Sequence, residues 1–220
     1  MDVEDLRLAV YHSFATTGAT PTSDELASLL GCTVDDVASG IARLAEDRHL
    51  VVDEAGAIVM AHPFSSIPLG FSVMGRNTLW WGGCSWDSFT IPHLLSDEPD
   101  VLVATRCPGC DRPVALVIDR NGPPESDWLA HFLVPVSRMW EDVVYTCSNQ
   151  RLFCSEACID DWLRRRSLPR GYVMDVGSLW RLAAGWYQGR LDRGYIRREP
   201  SAAREYLHSV GLDDQFWGTA

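Results

Sequence analysis

Two closely spaced pairs of cysteines constrain this chain more than any other feature of it. Cys107-Pro108-Gly109-Cys110 is a C-x2-C knuckle and Cys154-Ser155-Glu156-Ala157-Cys158 a C-x3-C, with 43 residues between them. A tetrahedral zinc takes four soft ligands, and two short pairs supply them when one sits on a tight turn and the other opens a helix. The positive end of that helix favours thiolate charge at its first cysteines. A fold that satisfies both pairs must bring the turn at Pro108 against the helix start at Ser155, so a zinc on Cys107, Cys110, Cys154 and Cys158 would staple a sheet to a helix. Four thiolates leave the metal no open position, and no catalysis is expected there. The rival reading keeps the pairs independent, with a redox C-x-x-C among them.

Composition supports metal or thiol chemistry over disulfides. The chain has 220 residues and an odd total of seven cysteines, which in a reducing cytosol read as ligands or reactive thiols. Thirty acidic against nineteen basic residues give a net charge of −11, which repels phosphate backbones and argues against a nucleic-acid partner. No apolar run approaches the roughly 18–20 residues of a membrane span, and the opening MDVEDLRLAVYH lacks the pattern of a signal peptide. The expectation is a cytoplasmic protein without a membrane partner.

Residues 1–60 read as a winged-helix-like domain. Leu6, Val10 and Phe14 recur at helical spacing, Thr22 and Thr33 open two further helices as caps, and two short strands flank the turn at Asp53–Gly56. The would-be recognition helix carries Asp35, Asp36, Glu46 and Asp47 against Arg43 alone, so a packing or dimerising role is favoured over DNA. The Pro-, Gly- and Ser-rich stretch 61–77 reads as a linker. Residues 78–190 form the second domain, with strand-like runs at 101–106, 113–118, 131–136 and 143–146 and helical stretches near 79–95, 156–166 and 177–190. The fold class is α+β with an antiparallel sheet and flanking helices. Residues 191–220 form a charged C-terminal extension with a short helix at 201–210.

Outside the two pairs remain Cys32, Cys84 and Cys147. Cys32 reads as a small buried residue before a helix cap. Cys84 lies in Trp80-Trp81-Gly82-Gly83-Cys84-Ser85-Trp86-Asp87, where two glycines permit close backbone approach and Asp87 shares a helical face with the thiol. A thiol beside a carboxylate among tryptophans is a candidate nucleophile with a proton carrier, since burial raises a carboxylate's pKa. By itself Cys-x-x-Asp also fits a helix start with a chance acid. The six histidines show no ligand spacing, with His93 the nearest to this segment, and Arg164-Arg165-Arg166 reads as a solvated helix end.

Taken together these segments resemble a known family. Phe153-Cys154-Ser155 with Cys158 is similar to the second half of a treble-clef zinc finger. Cys84-x-x-Asp87 followed by Phe89-Thr90-Ile91-Pro92 resembles the active-site segment of the organomercurial (alkylmercury) lyases. Cys147, ahead of Leu152-Phe153-Cys154-Ser155, fits that family's second catalytic cysteine, and Phe64-Ser65-Ser66-Ile67-Pro68 fits its interdomain segment. The resemblance spans residues 1–190 and implies cofactor-independent protonolysis of a carbon–mercury bond. Cys84 and Cys147 would capture the soft metal and Asp87 would carry the proton, with Trp80, Trp81, Trp86 and Phe89 as possible pocket walls. Hg(II) would then pass to low-molecular-weight thiols or a mercuric reductase. The complete Cys107/Cys110 pair, Cys154, Cys158, Gly82-Gly83 and the tail depart from the family's pattern. Two other readings keep the scaffold: a protein that holds copper or mercury without chemistry, and a lyase-like enzyme for another small molecule.

Overall fold

A computed structural model describes residues 1–219. The chain opens with three helices, α1 (Val3–Thr17), α2 (Ser23–Leu30) and α3 (Val34–Glu46). Thr22 and Thr33 each close a reciprocal capping box, with Glu25 and Asp36 as partners, satisfying N–H groups that a helix start leaves free. Leu6, Val10 and Phe14 of α1 are fully buried, with Leu26, Val37 and Leu44 of the other two helices behind them.

A hairpin of β1 (Val51–Val52) and β2 (Ile58–Ala61) follows, and it does not end a separate unit. The sheet continues through β3 (Phe64–Ser65), β4 (Phe71–Met74), β5 (Leu79–Gly82), β6 (Asp100–Arg106) and β7 (Pro113–Asp119) in the order β1-β2-β3-β5-β4-β6-β7, every pairing antiparallel. The stretch 61–77 is therefore no free linker. Its prolines and glycines turn the chain between very short strands whose Phe64, Phe71 and Val73 are buried, and strands of that length leave no alternating pattern to read.

Two other expectations fail for local reasons. Residues 79–95 are not one helix: 79–82 form β5, and α4 (Ser85–Leu94) starts only after Gly82-Gly83. Val143-Val144-Tyr145-Thr146 is helical, in α5 (Val143–Ser148), because Asp142 caps its N–H groups by accepting from Tyr145 at 2.9 Å. Its β-branched residues suggest a strand only as a weak preference that such a cap overrides. The smaller sheet, β8 (Leu129–Phe132) flanked by β9 (Gln150–Phe153) and β10 (Tyr172–Asp175), is also antiparallel.

Helices α6 (Glu156–Arg166) and α7 (Val176–Trp186) match the stretches expected for them, and α7 packs along α4. The tail carries α8 (Pro200–Ser209) and then folds back: Trp217 is buried against Trp86, Phe132 and Tyr172. Among the described residues no helix is long and apolar enough to cross a membrane.

Candidate active site

Cys84, Asp87 and Cys147 meet at one buried carboxylate oxygen. The end of β5 hands the chain to α4 through Gly82-Gly83, and Cys84 is the N-cap, its sulfur 3.5 Å from the Asp87 N–H. The Cys84 thiol donates to Asp87 Oδ2 at 3.2 Å. Cys147, near the end of α5, brings its thiol to 3.8 Å from the same oxygen. The two sulfurs are thus no further apart than those two contacts laid end to end. The glycines make this approach possible: a Cβ on Gly82 would fall 2.0 Å from Ser88 Oγ, and one on Gly83 2.4 Å from Asp87 Oδ2.

Burial sets the protonation of the trio, because low-polarity surroundings disfavour charge. It pushes Asp87 up to about 7, against the pull of hydrogen bonds from Cys84 and Tyr187 and of the Arg190 charge. It also drives the Cys84 thiol well above its ordinary range. Cys147 is drawn down by its contact with Cys84 but raised overall by burial and the Asp87 carboxylate. At rest the site holds two thiols and a carboxyl group balanced between acid and base near neutral pH.

The comparisons with known proteins bear on this same region. The family model described as "Alkylmercury lyase" (MerB) matches residues 64–188, which include all three residues. The chain belongs to the alkylmercury lyase family. It is a carbon–mercury lyase, and the antiparallel α+β fold agrees. A solved structure, the mercury-bound form of MerB2, superposes with a TM-score of 0.65 at 19% identity over 86% of this chain and 91% of that one, a likeness of fold. No curated protein matches the chain by sequence.

In this lyase the trio opens on a cavity of about 650 Å³. Of the aromatic residues expected to wall it, Trp86 does so, packed on Trp186 with ring centroids 4.8 Å apart. Trp80 and Phe89 are buried elsewhere, Trp80 donating its indole N–H to the Phe14 carbonyl at 2.8 Å, and Trp81 is partly exposed. Trp140, Trp186 and Trp217, which sequence reasoning missed, also line it. His93 stacks edge-on to Trp180 and does not line the cavity.

Three further neighbours left no pattern in the sequence. His62 Nε2 lies 3.7 Å from Cys147 Sγ, and burial holds its ring neutral, lowering its pKa to about 3. His62, Asp87 and Cys147 present ligand atoms within 4.8 Å of one another. Tyr187 donates its hydroxyl to Asp87 Oδ1 at 3.0 Å. Arg190 is buried with its guanidinium over the rings of Tyr11, Tyr187 and Tyr195, donating to Tyr11 Oη at 2.9 Å.

The four paired cysteines also converge. The sulfurs of Cys107, Cys110, Cys154 and Cys158 all lie within 4.8 Å of one another, and Cys154 is 3.4 Å from both Cys110 and Cys158. A Cβ on Gly109 would meet the Cys158 carbonyl oxygen at 2.5 Å, so only glycine lets the knuckle sit on the start of α6. Arg164, Arg165 and Arg166 are exposed in the last turn of α6, and Arg165 also donates to the Pro108 and Gly109 carbonyls at 2.9 and 2.8 Å, tying the helix end to the knuckle. Cys32 is half-buried with its thiol 3.5 Å from the Met1 sulfur.

Proposed function

We propose that Cys84, Cys147 and Asp87 cleave an organomercurial R–Hg–X by protonolysis. The observation that carries this reading is the single carboxylate oxygen, Asp87 Oδ2, within 3.2 Å of one thiol and 3.8 Å of the other. Mercury is soft, so sulfur displaces harder ligands from it. Cys84 loses its proton to the Asp87 carboxylate as its sulfur replaces X on mercury. Cys147 then adds as the second thiolate, its proton leaving with X. The carbon–mercury electron pair takes the proton held by Asp87, giving R–H and Hg(II) on two sulfurs, with no change in oxidation state. A carboxylic acid near neutral pKa, in a pocket walled by tryptophans, suits this acid–base role.

Hg(II) would pass to low-molecular-weight thiols or a mercuric reductase, in a cytoplasm that keeps both cysteines reduced. The Cys107, Cys110, Cys154 and Cys158 cluster would hold a structural zinc: a tetrahedron with Zn–S near 2.3 Å sets sulfurs about 3.8 Å apart, close to the spacing of these thiols. That metal takes no part in the chemistry. Residues 1–60 would serve packing rather than DNA, their helices sharing the core with β2 and β5.

The deciding experiment measures benzene or methane released from phenylmercury or methylmercury in excess thiol. Catalytic release that Asp87→Asn and Cys84→Ala both abolish is expected. Stoichiometric mercury capture without hydrocarbon, unchanged in Asp87→Asn, would replace the mechanism with metal binding.

A further inference from the structure

The cavity above the thiols is cationic in an acidic protein. Thirty acidic residues outnumber nineteen basic ones over the chain, yet the cavity is lined by Arg48, Arg190, Arg197, Arg198 and Arg204, with Asp87 and Glu199 as its acids. Elsewhere seven of the other fourteen arginines pair with carboxylates, among them Arg43 with Asp47, Arg106 with Asp111, Arg138 with Glu141 and Arg164 with Asp161. Among the described residues none of the five cavity arginines is in an ion pair. Two have structural work: Arg190 is locked among tyrosines, and Arg198 donates to the Gly185 carbonyl at 2.9 Å and covers Tyr206.

Of the other three, Arg197 donates to the Asp47 carbonyl at 3.4 Å, while among the described residues no side-chain hydrogen bond holds Arg48 or Arg204. Arg48 and Arg197 bring their guanidinium carbons to 5.6 and 4.9 Å from the ring centre of the same residue, Trp140. Two like charges on one ring repel unless an anion sits with them. Trp140 in turn meets His62 edge-on, and His62 touches Cys147, so this ring links the arginine pair to the catalytic thiol. Arg48 holds a left-handed backbone, φ 58, just beyond α3, where glycine or asparagine is the usual residue. Arg204 projects from α8, exposed and also lining the cavity. Four of the five arginines lie beyond residue 188, where the family match stops, so the C-terminal segment supplies most of the cavity's positive charge.

We propose that this lyase prefers mercurials that carry a carboxylate, bound by Arg48, Arg197 and Arg204 while the mercury reaches Cys84 and Cys147. Guanidinium groups match carboxylates in geometry as well as charge. The inference rests on the lyase reading. The carboxylate has two possible sources, the organic group of the substrate or the thiol that delivers the mercury.

The test measures kcat/KM for hydrocarbon release by the full chain. One arm compares 4-carboxyphenylmercury with phenylmercury in 2-mercaptoethanol; the other compares phenylmercury as its mercaptoacetate and cysteamine adducts. The expected result is an advantage of about 10-fold for the anion in at least one arm, shrinking with salt. In the Arg48→Gln/Arg197→Gln variant the ratio of anionic to neutral kcat/KM falls toward one. Equal rates in both arms, or a variant that slows anionic and neutral substrates alike, would overturn the proposal. If no substrate yields hydrocarbon, the lyase mechanism fails instead, and calorimetric affinities of the same compounds for the wild-type chain decide the arginine proposal by the same ratios.

Discussion

The hydroxyl of Tyr187 donates to Asp87 Oδ1 at 3.0 Å, while the opposite oxygen, Oδ2, takes the Cys84 and Cys147 thiols. The carboxylate is thus divided between a face held by a fixed donor and a face turned to the reactants. Arg190 lies over the Tyr187 ring, with its guanidinium carbon 4.9 Å from the ring centre. The tyrosine therefore connects a buried positive charge to the proposed proton carrier, and its bond favours the ionised form of Asp87.

Tyr187→Phe removes that bond and leaves the ring. With Asp87 near 7 and its ionised form needed to receive the Cys84 proton, wild-type kcat/KM should rise through about pH 7 and then level. In Tyr187→Phe the rising limb should move to higher pH by about one to two units. A pH–rate profile on phenylmercury checks this; an unmoved limb with uniformly lower rates would make Tyr187 a packing residue.

Asp87 also ties stability to pH. Its folded pKa, about 7, stands above the ordinary 3.8 of an aspartate, so the folded state holds the proton more tightly than the unfolded chain. That contribution is fully present below about pH 4 and is lost as pH rises through 7. Asp87→Asn has no charge to desolvate and should be the more stable protein at pH 8, by about 2–4 kcal/mol. The two proteins should converge toward pH 4. Urea midpoints at both pH values check the sign.

Much of the frame was legible in the sequence because it rests on local chemistry. Thr22 and Thr33 mark helix starts by their own hydrogen bonds, and 156–166 is the span of α6 because Ser155 caps it and Ser167, in a left-handed backbone, ends it. Cys84 and Cys147 came together only by resemblance, since no local rule spans the 60-position separation of Asp87 and Cys147. His62, Tyr187 and Arg190 were unreadable for the same reason. Each is a lone polar residue whose importance is conferred by tertiary packing. The two-residue β3 and four-residue β4 vanish among prolines and glycines, too short to show a period.

Gly83 is the glycine packed directly against the proposed proton carrier. A methyl group there would sit 2.4 Å from Asp87 Oδ2 and 2.5 Å from the Met60 methyl carbon, so the carboxylate or the strand must move. Gly83→Ala should cost about 1–3 kcal/mol of stability. It should also lower kcat/KM at least tenfold, through the displaced Asp87. Gly122→Ala, whose added methyl meets nothing within 4 Å, is the control and should change neither.

Zinc removal should loosen the junction between the β6–β7 turn and α6. Metal analysis of the chain purified without chelator should give about one zinc per molecule, and none after Cys107→Ser/Cys158→Ser. The stripped protein should melt at lower temperature, since a metal bound only by the folded state stabilises it. A chain that purifies metal-free with an unaltered melting temperature in the double variant would remove zinc from the account and leave four free thiols at this junction.

Trp217 tests whether the tail belongs to the active-site wall. It is 1% exposed, its ring 6.2 Å from that of Trp86 and 5.6 Å from that of Phe132. Trp217→Ala should destabilise the chain by about 3–5 kcal/mol, as expected of a large side chain removed from a core. Ile196→Ala in the same tail, 81% exposed, should be neutral. Because Trp86 and Trp217 both line the cavity, the Ala variant should also slow a phenyl substrate more than a methyl one. If the loss were equal for both, Trp217 would be holding the fold without shaping the substrate site.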